Sequence, residues 1–155
     1  MDVIDLLIQQ HREADALFEA FRNAPDDATK KELCIQLAEA LTLHATIEER
    51  WIYPVARRVI GEEQLQHSVE EHGEMKRLIT DMLRSRNDVN GLAGNVSELE
   101  RVVKSHVSDE EQNVLPQFGQ KVTEQEIGMS CNDIVRTASD VRREEMSKLE
   151  SEASV

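Results

Sequence analysis

The sequence predicts an all-α protein: an antiparallel up-down four-helix bundle with an additional C-terminal helix. Three observations carry this. Apolar residues recur every three or four positions along nearly the whole chain, and the alternation of a half-buried strand occurs nowhere. Short connections rich in Asn, Asp, Pro and Gly interrupt that period, which favours sequential helices as antiparallel neighbours. One phrase also occurs twice, first as His44-Ala-Thr-Ile-Glu48-Glu49-Arg-Trp-Ile-Tyr-Pro54 and again as His106-Val-Ser-Asp-Glu110-Glu111-Gln-Asn-Val-Leu-Pro116.

The first helix reads Ile4, Leu7, Ile8, His11, Ala14, Phe18, Phe21 and closes at the turn Asn23-Ala-Pro25-Asp-Asp. The second carries Leu33, Leu37, Leu41, His44, Glu48 and Ile52, up to about Pro54, which lacks an amide proton and disturbs the ladder there. Gly61 marks the link to a third helix with the stripe Leu65, Val69, His72, Met75, Ile79, Met82. The polar stretch Asn87–Gly91 separates it from a fourth helix with Leu92, Val96, Leu99, Val103, His106, Glu110, Val114. Thr123-Glu-Gln-Glu126 is a capping-box pattern that announces the fifth helix, with Ile127, Cys131, Ile134, Ala138 and Val141 on its apolar face. Its charged end, from Arg142 to Val155, is expected to fray. Residues 1–120 thus read as the bundle and 121–155 as a packing helix with a charged tail.

Composition restricts what the bundle can do. A chain of 155 residues buries a real core without disulfide staples. Acidic residues outnumber basic ones 31 to 18, and a formal charge of −13 repels phosphate backbones and anionic membrane surfaces, so neither nucleic acid nor membrane is an expected partner. Cys34 and Cys131 are far apart and in no metal-ligand spacing; both fall on or beside apolar stripes, as inert buried thiols do. The start has no basic leader followed by an apolar run, and no apolar stretch approaches the ~18 residues of a membrane span. A cytoplasmic location is expected. Nothing in the sequence speaks to oligomeric state.

Each repeated phrase is a two-pronged grip, because residues four apart lie one above the other on a helix face. One more histidine stands 33 residues before the first grip (His11 before His44) and 34 before the second (His72 before His106), as if one helix-turn-helix unit were used twice. If the third helix runs to about 86 and the fourth starts near 92, His72 and His106 each lie about 14 residues, or about 21 Å, from their loop and meet at one level. The first pair is mismatched by about 6 Å on the same arithmetic. Four inward histidines and two inward carboxylates, Glu48 and Glu110, then share one layer of an apolar core. Two buried carboxylates raise each other's pKa, and burial adds to the cost; bound cations remove it. Imidazoles with bridging carboxylates suit iron, with manganese or zinc as lesser alternatives, and six donors exceed one tetrahedral zinc but fit two ions.

His11, the His44/Glu48 pair, Glu71-His72 and the His106/Glu110 pair together resemble the hemerythrin-like HHE cation-binding domain, over residues 1 to about 120. The resemblance implies an antiparallel four-helix bundle around a non-haem di-iron centre, with His11 and His44 mainly on one iron, His72 and His106 on the other, and Glu48 and Glu110 between them. It implies a protein that binds oxygen or a related small ligand such as nitric oxide, for sensing, storage or delivery. A di-iron oxidoreductase consuming peroxide or nitrogen oxides, or an iron-responsive or storage bundle, would use the same donors, so the enzyme question stays open. The chain departs from the oxygen carriers in helix 3, which there supplies two histidines four apart; here Ser68 and Lys76 occupy the positions four from His72. His67, five residues away, points about 140° off the stripe unless a π-bulge turns it inward. The second iron is therefore expected to be one protein donor short. Glu49 and Glu111 are candidates for orienting histidines, and Trp51 and Tyr53 are expected to pack in the core.

Overall fold

The computed structural model describes residues 2–154 and is helical throughout, with no strand among the described residues. Five long helices dominate: α1 (Val3–Arg22), α2 (Asp27–Ile47), α4 (Glu62–Arg84), α5 (Val89–Asp109) and α8 (Cys131–Ala153). Three short ones complete the chain: α3 (Tyr53–Ala56), α6 (Leu115–Lys121) and α7 (Glu124–Ile127). The starts of α1, α2 and α8 obey local capping chemistry, since the side chains of Asp2, Asp26 and Ser130 accept from the backbone N–H three residues on.

α1 packs on α2 and α5, and α4 packs on the same two helices, so the four enclose one interior; α8 lies against α2 and α4. Apolar side chains fill that interior in two groups. One, around Phe18, Leu37, Met82 and Leu99, takes in Leu149 of α8; the other, around Leu7, Ile52, Leu65 and Phe118, takes in Ile134 and Ala138 of α8.

The C-terminal segment differs from expectation. The capping box at Thr123 and Glu126 exists, but it starts only the single turn α7, which Gly128 ends in the left-handed region at φ 79°. α8 begins afresh behind Ser130 and does not fray at Arg142: it continues to Ala153, because Leu149 is buried and Met146 packs against the first apolar group. α5 likewise starts at Val89 rather than near Leu92, taking in part of the stretch expected to be loop. With these bounds the two histidine pairs have nearly the same offset, six residues for the first and five for the second, where equal distances were expected for the second. His11 and His72 lie 11 and 12 residues before the ends of α1 and α4, and His44 and His106 each lie 17 past the starts of α2 and α5.

The second and fourth helices do not stop at their prolines. A π-helical turn follows each histidine/glutamate grip, at Glu48–Ile52 and Glu110–Val114, and carries the chain into α3 and α6. Pro54 and Pro116 have no N–H to give and crowd the carbonyl four residues back. In the wider turn the ladder closes five residues back instead: Tyr53 N–H bonds Glu48 C=O, and Leu115 N–H bonds Glu110 C=O.

Candidate metal centre

His11, His44, Glu48, His72, His106 and Glu110, expected from spacing alone to converge, are all buried and all in contact. The histidines form two pairs, His11 with His44 and His72 with His106, each with ring centroids 4.8 Å apart and planes at 61°. The carboxylates lie between the pairs. Glu48 Oε1 is 3.0 Å from His44 Nε2, 3.0 Å from His72 Nε2 and 3.5 Å from His106 Nε2. Glu110 Oε1 is 3.2 Å from His11 Nε2 and Glu110 Oε2 is 3.0 Å from His106 Nε2, so one carboxylate spans both pairs. Donor atoms of His44, Glu48, His106 and Glu110 fall within 4.8 Å of one another.

Each imidazole turns Nε2 inward, and three of the four are held at Nδ1 by an acceptor on another helix. His11 Nδ1 is 2.8 Å from Glu111 Oε2, His44 Nδ1 2.8 Å from Gln10 Oε1, and His106 Nδ1 3.0 Å from Glu71 Oε1; Glu49 Oε2 stands 3.6 Å from His72 Nδ1. Acceptors on Nδ1 put the ring proton there and leave the Nε2 lone pair for a cation. The pattern is two-fold. Gln10 and Glu71, each just before a site histidine, hold the histidine of the following helix; Glu49 and Glu111, each just after a site carboxylate, address a histidine of the other pair. Glu111 is itself clamped by Arg12, and Glu49 by Lys76. The orienting role expected of Glu49 and Glu111 is met by Glu111, while Glu49 stops short of hydrogen-bond distance from His72; Gln10 was not expected, since a glutamine before a histidine carries no signal until its neighbour is known.

Two features fit a cation. Glu48 Oε2 is fully buried with no hydrogen-bond partner, a position of high cost for an unpaired carboxylate oxygen. His72 Nε2 and His106 Nε2 are 3.2 Å apart, a repulsive approach for two lone pairs but the spacing of two nitrogens each about 2.1 Å from one ion at right angles, about 3 Å. Without metal, protons take the cations' place. Burial opposes charge on His44, yet Glu48 and Glu110 push it up to about 9, and carboxylates raise His72 and His106 in the same way. Glu48 is held well below the usual carboxylate range despite its burial, by charged His44 and by hydrogen bonding to Glu110 and His106. Burial and Glu48 both push Glu110 up, but His106 and His11 bring it below that range as well. The expected mutual raising of the two carboxylates is therefore outweighed by four imidazoles at contact distance.

Tyr53 was expected to pack in the core, and it does more. Its hydroxyl donates to Glu110 Oε2 at 3.2 Å and lies 3.1 Å from His72 Nε2. Burial and the two carboxylates raise its pKa, so it is a neutral phenol there. Tyr53 stands five residues after Glu48, which an ideal helix turns away from the stripe; the π-turn brings it inward. The corresponding residue of the second phrase, Leu115, has no polar atom to offer, so Tyr53 breaks the two-fold pattern. His67 is not turned inward. Its helix is regular, its side chain is 57% exposed, and Nε2 faces Glu71 at 3.6 Å. Trp51 is partly buried and lends its indole N–H to Met129 Sδ at 3.1 Å, away from the site.

A cavity of about 130 Å³ reaches the site from the side that α8 covers, with His72, Thr42, Ala45, Lys76 and Glu145 in its wall. Thr42 Oγ1 and His72 Nδ1, both in that wall, are buried without hydrogen-bond partners. Cys34 is buried elsewhere, 3.8 Å from the Met82 carbonyl, and burial pushes its thiol up to about 11. That is an inert thiol, as expected.

The described helices include none long and apolar enough to cross a membrane. No solved structure matches the chain. A DNA nickase from Nostoc sp. (strain PCC 7120 / SAG 25.82 / UTEX 2576) is 30% identical over 111 residues, which are 72% of this chain and 32% of that protein, so the chain spans about a third of its relative's length. The family model for the hemerythrin HHE cation binding domain matches residues 2–118, the stretch that holds all four site histidines and both site carboxylates. The chain belongs to the hemerythrin HHE cation-binding family, and its buried His/Glu cluster has the composition of a metal centre.

Proposed function

We propose that the chain is a non-haem di-iron protein that binds oxygen or a related small ligand such as nitric oxide, for sensing, storage or delivery. The observation that carries this is the inward turn of four Nε2 atoms onto two buried carboxylates while the Nδ1 atoms of His11, His44 and His106 are held by acceptors from outside. His11 and His44 would hold one ion, His72 and His106 the other, with Glu48 and Glu110 between them. Manganese or zinc are lesser alternatives. Two irons there would supply a redox-active centre with affinity for oxygen-type ligands. The protein's part is to fix the donors, keep bulk water out with an apolar shell, and leave the cavity at His72 as an approach for a small ligand such as a diatomic or peroxide.

In this reading residues 1–120 form an antiparallel up-down four-helix metal-binding bundle and 121–155 a packing helix, in a cytoplasmic protein whose partner is a small molecule. Nicking of DNA is named only for the relative, and a formal charge of −13 opposes contact with a phosphate backbone. A second reading, consumption of peroxide by a di-iron oxidoreductase, is favoured by Tyr53. Helix α4 brings no second histidine four from His72, but Tyr53 brings a buried phenol beside His72 Nε2, which holds a transferable proton at its hydroxyl next to Glu110 Oε2. An iron-responsive or storage role uses the same donors. Metal analysis with optical spectra of the reduced protein before and after oxygen tests the proposal. Two irons per chain with stable, reversible bands are expected; one metal or none after anaerobic iron loading would refute it, and sustained turnover of added peroxide would select the second reading.

A further inference from the structure

A second set of metal-ligating side chains lies on the surface between α4 and α5. His67 Nε2 is 3.6 Å from Glu71 Oε2, and one donor atom each from His67, Glu71 and Asp109 all fall within 4.8 Å of one another. Nitrogen and oxygen donors about 2.1 Å from one ion lie roughly 3 to 3.5 Å apart in tetrahedral or octahedral geometry, so side-chain shifts of little over about 1 Å close the set. Asp109 is held in place by two neutral amides, Gln64 Nε2 on Oδ2 and Asn113 Nδ2 on Oδ1, each at 2.9 Å. Among the described residues neither carboxylate is paired with a lysine or arginine, and the groove beside His67 is lined by Glu63 and Glu70 without a basic residue. Apart from His106 on Glu71 Oε1, the two carboxylates meet, among the described residues, only neutral amides and the His67 imidazole.

Glu71 ties this group to the interior. Its Oε1 accepts from His106 Nδ1 at 3.0 Å while its Oε2 faces His67. We propose that His67, Glu71 and Asp109 form an exposed binding site for a divalent cation of the borderline class, such as zinc, ferrous iron or manganese. One imidazole with two carboxylates matches that class, whereas magnesium, which keeps its waters and prefers oxygen, gains little from the imidazole. The remaining coordination positions face solvent, so the cation exchanges freely. It sits one carboxylate away from the buried cluster, where a hydrated ion attracted by the acidic surface first meets a nitrogen donor.

The test is a zinc titration of the full chain and of its His67→Ala and Asp109→Asn variants, by calorimetry and by the His67 ring resonances in NMR. Neither substitution touches the six buried donors, so the difference between chain and variant counts only the surface site, whatever fills the interior. Expected is one zinc more in the chain than in His67→Ala, affinity at least tenfold weaker in Asp109→Asn, and shifted His67 resonances that a tenfold excess of magnesium does not reverse. Identical zinc stoichiometry and affinity in chain and variants, or magnesium displacing zinc at comparable concentration, overturns the proposal. The NMR shift also guards against a variant that has merely misfolded, because it is read on the unmodified chain.

Discussion

His44 sets the sign of the metal-free protein's response to pH. An imidazole near 6.5 in the unfolded chain and at about 9 in the folded one contributes stability that is complete below about 6.5 and disappears as pH rises through 9. Glu48 and Glu110, lowered in the folded state, contribute stability present above the unfolded carboxylate value of about 4.5 and lost as pH falls through their folded values. The stripped protein should therefore melt highest between about pH 5 and 6.5 and lose about 3 kcal/mol from His44 alone by pH 10; thermal melts across that range would contradict it if stability rose steadily to pH 9. Four histidines and two glutamates could be read from spacing, because each lies where the helical period demands a leucine. Tyr53 could not, since the period that assigns it is the α-helical one and the chain locally abandons it. Tyr53→Phe keeps the ring in its core position and removes only the hydroxyl, so it should cost about 1 kcal/mol. It should retain metal and change the optical bands of the iron-loaded protein; unchanged bands would mean the hydroxyl has no part in the site.

The π-turns at Glu48–Ile52 and Glu110–Val114 are the local structures on which the site depends most. Pro54 announced a disturbed ladder without saying what form it takes; Ile52, Val55, Val114 and Leu115 are all buried beyond the grip, so the helix is held on past its proline in both copies. Deleting the exposed Arg50 from the first turn would restore the ordinary ladder and put Tyr53 four residues after Glu48, on the same helix face, so the phenol should keep its place. Metal content should survive, because His44 and Glu48 precede the deletion, and the spectrum should stay that of the parent. A deletion protein with the spectrum of Tyr53→Phe would show that the phenol reaches the site only from the π-turn itself. α8 was legible as a packing helix from Ile134, Ala138 and Val141, but its length was not. Leu149 and Met146 lie in a stretch so charged that the apolar period is visible only once their burial is known. Ile134 is 1% exposed, so Ile134→Ala should cost about 2 to 4 kcal/mol, measured by denaturant unfolding.

Packing α8 across α2 and α4 does more than lengthen the core, because it roofs the cavity that reaches His72. Four helices would leave that flank of the site against solvent; the fifth leaves a passage bounded by Thr42 and Ala45 of α2, Lys76 of α4 and Glu145 of α8. The volume of about 130 Å³ has room for a few waters or one small ligand, and the two unpartnered polar atoms in its wall, Thr42 Oγ1 and His72 Nδ1, argue for a wetted passage over a dry void. If a diatomic or peroxide enters here, obstruction should slow its arrival without disturbing the donors behind. Ala45 is the position to change: it is buried in the cavity wall, one residue after His44, and contributes no donor. Ala45→Leu adds volume to existing space, so stability should change by less than about 1.5 kcal/mol, and metal content should stay that of the parent. Stopped-flow mixing of the reduced, iron-loaded protein with oxygen should show association at least about tenfold slower, since each 1.4 kcal/mol added to the entry barrier is a factor of ten. An unchanged association rate with unchanged metal would place the entrance elsewhere and leave α8 with a packing role alone.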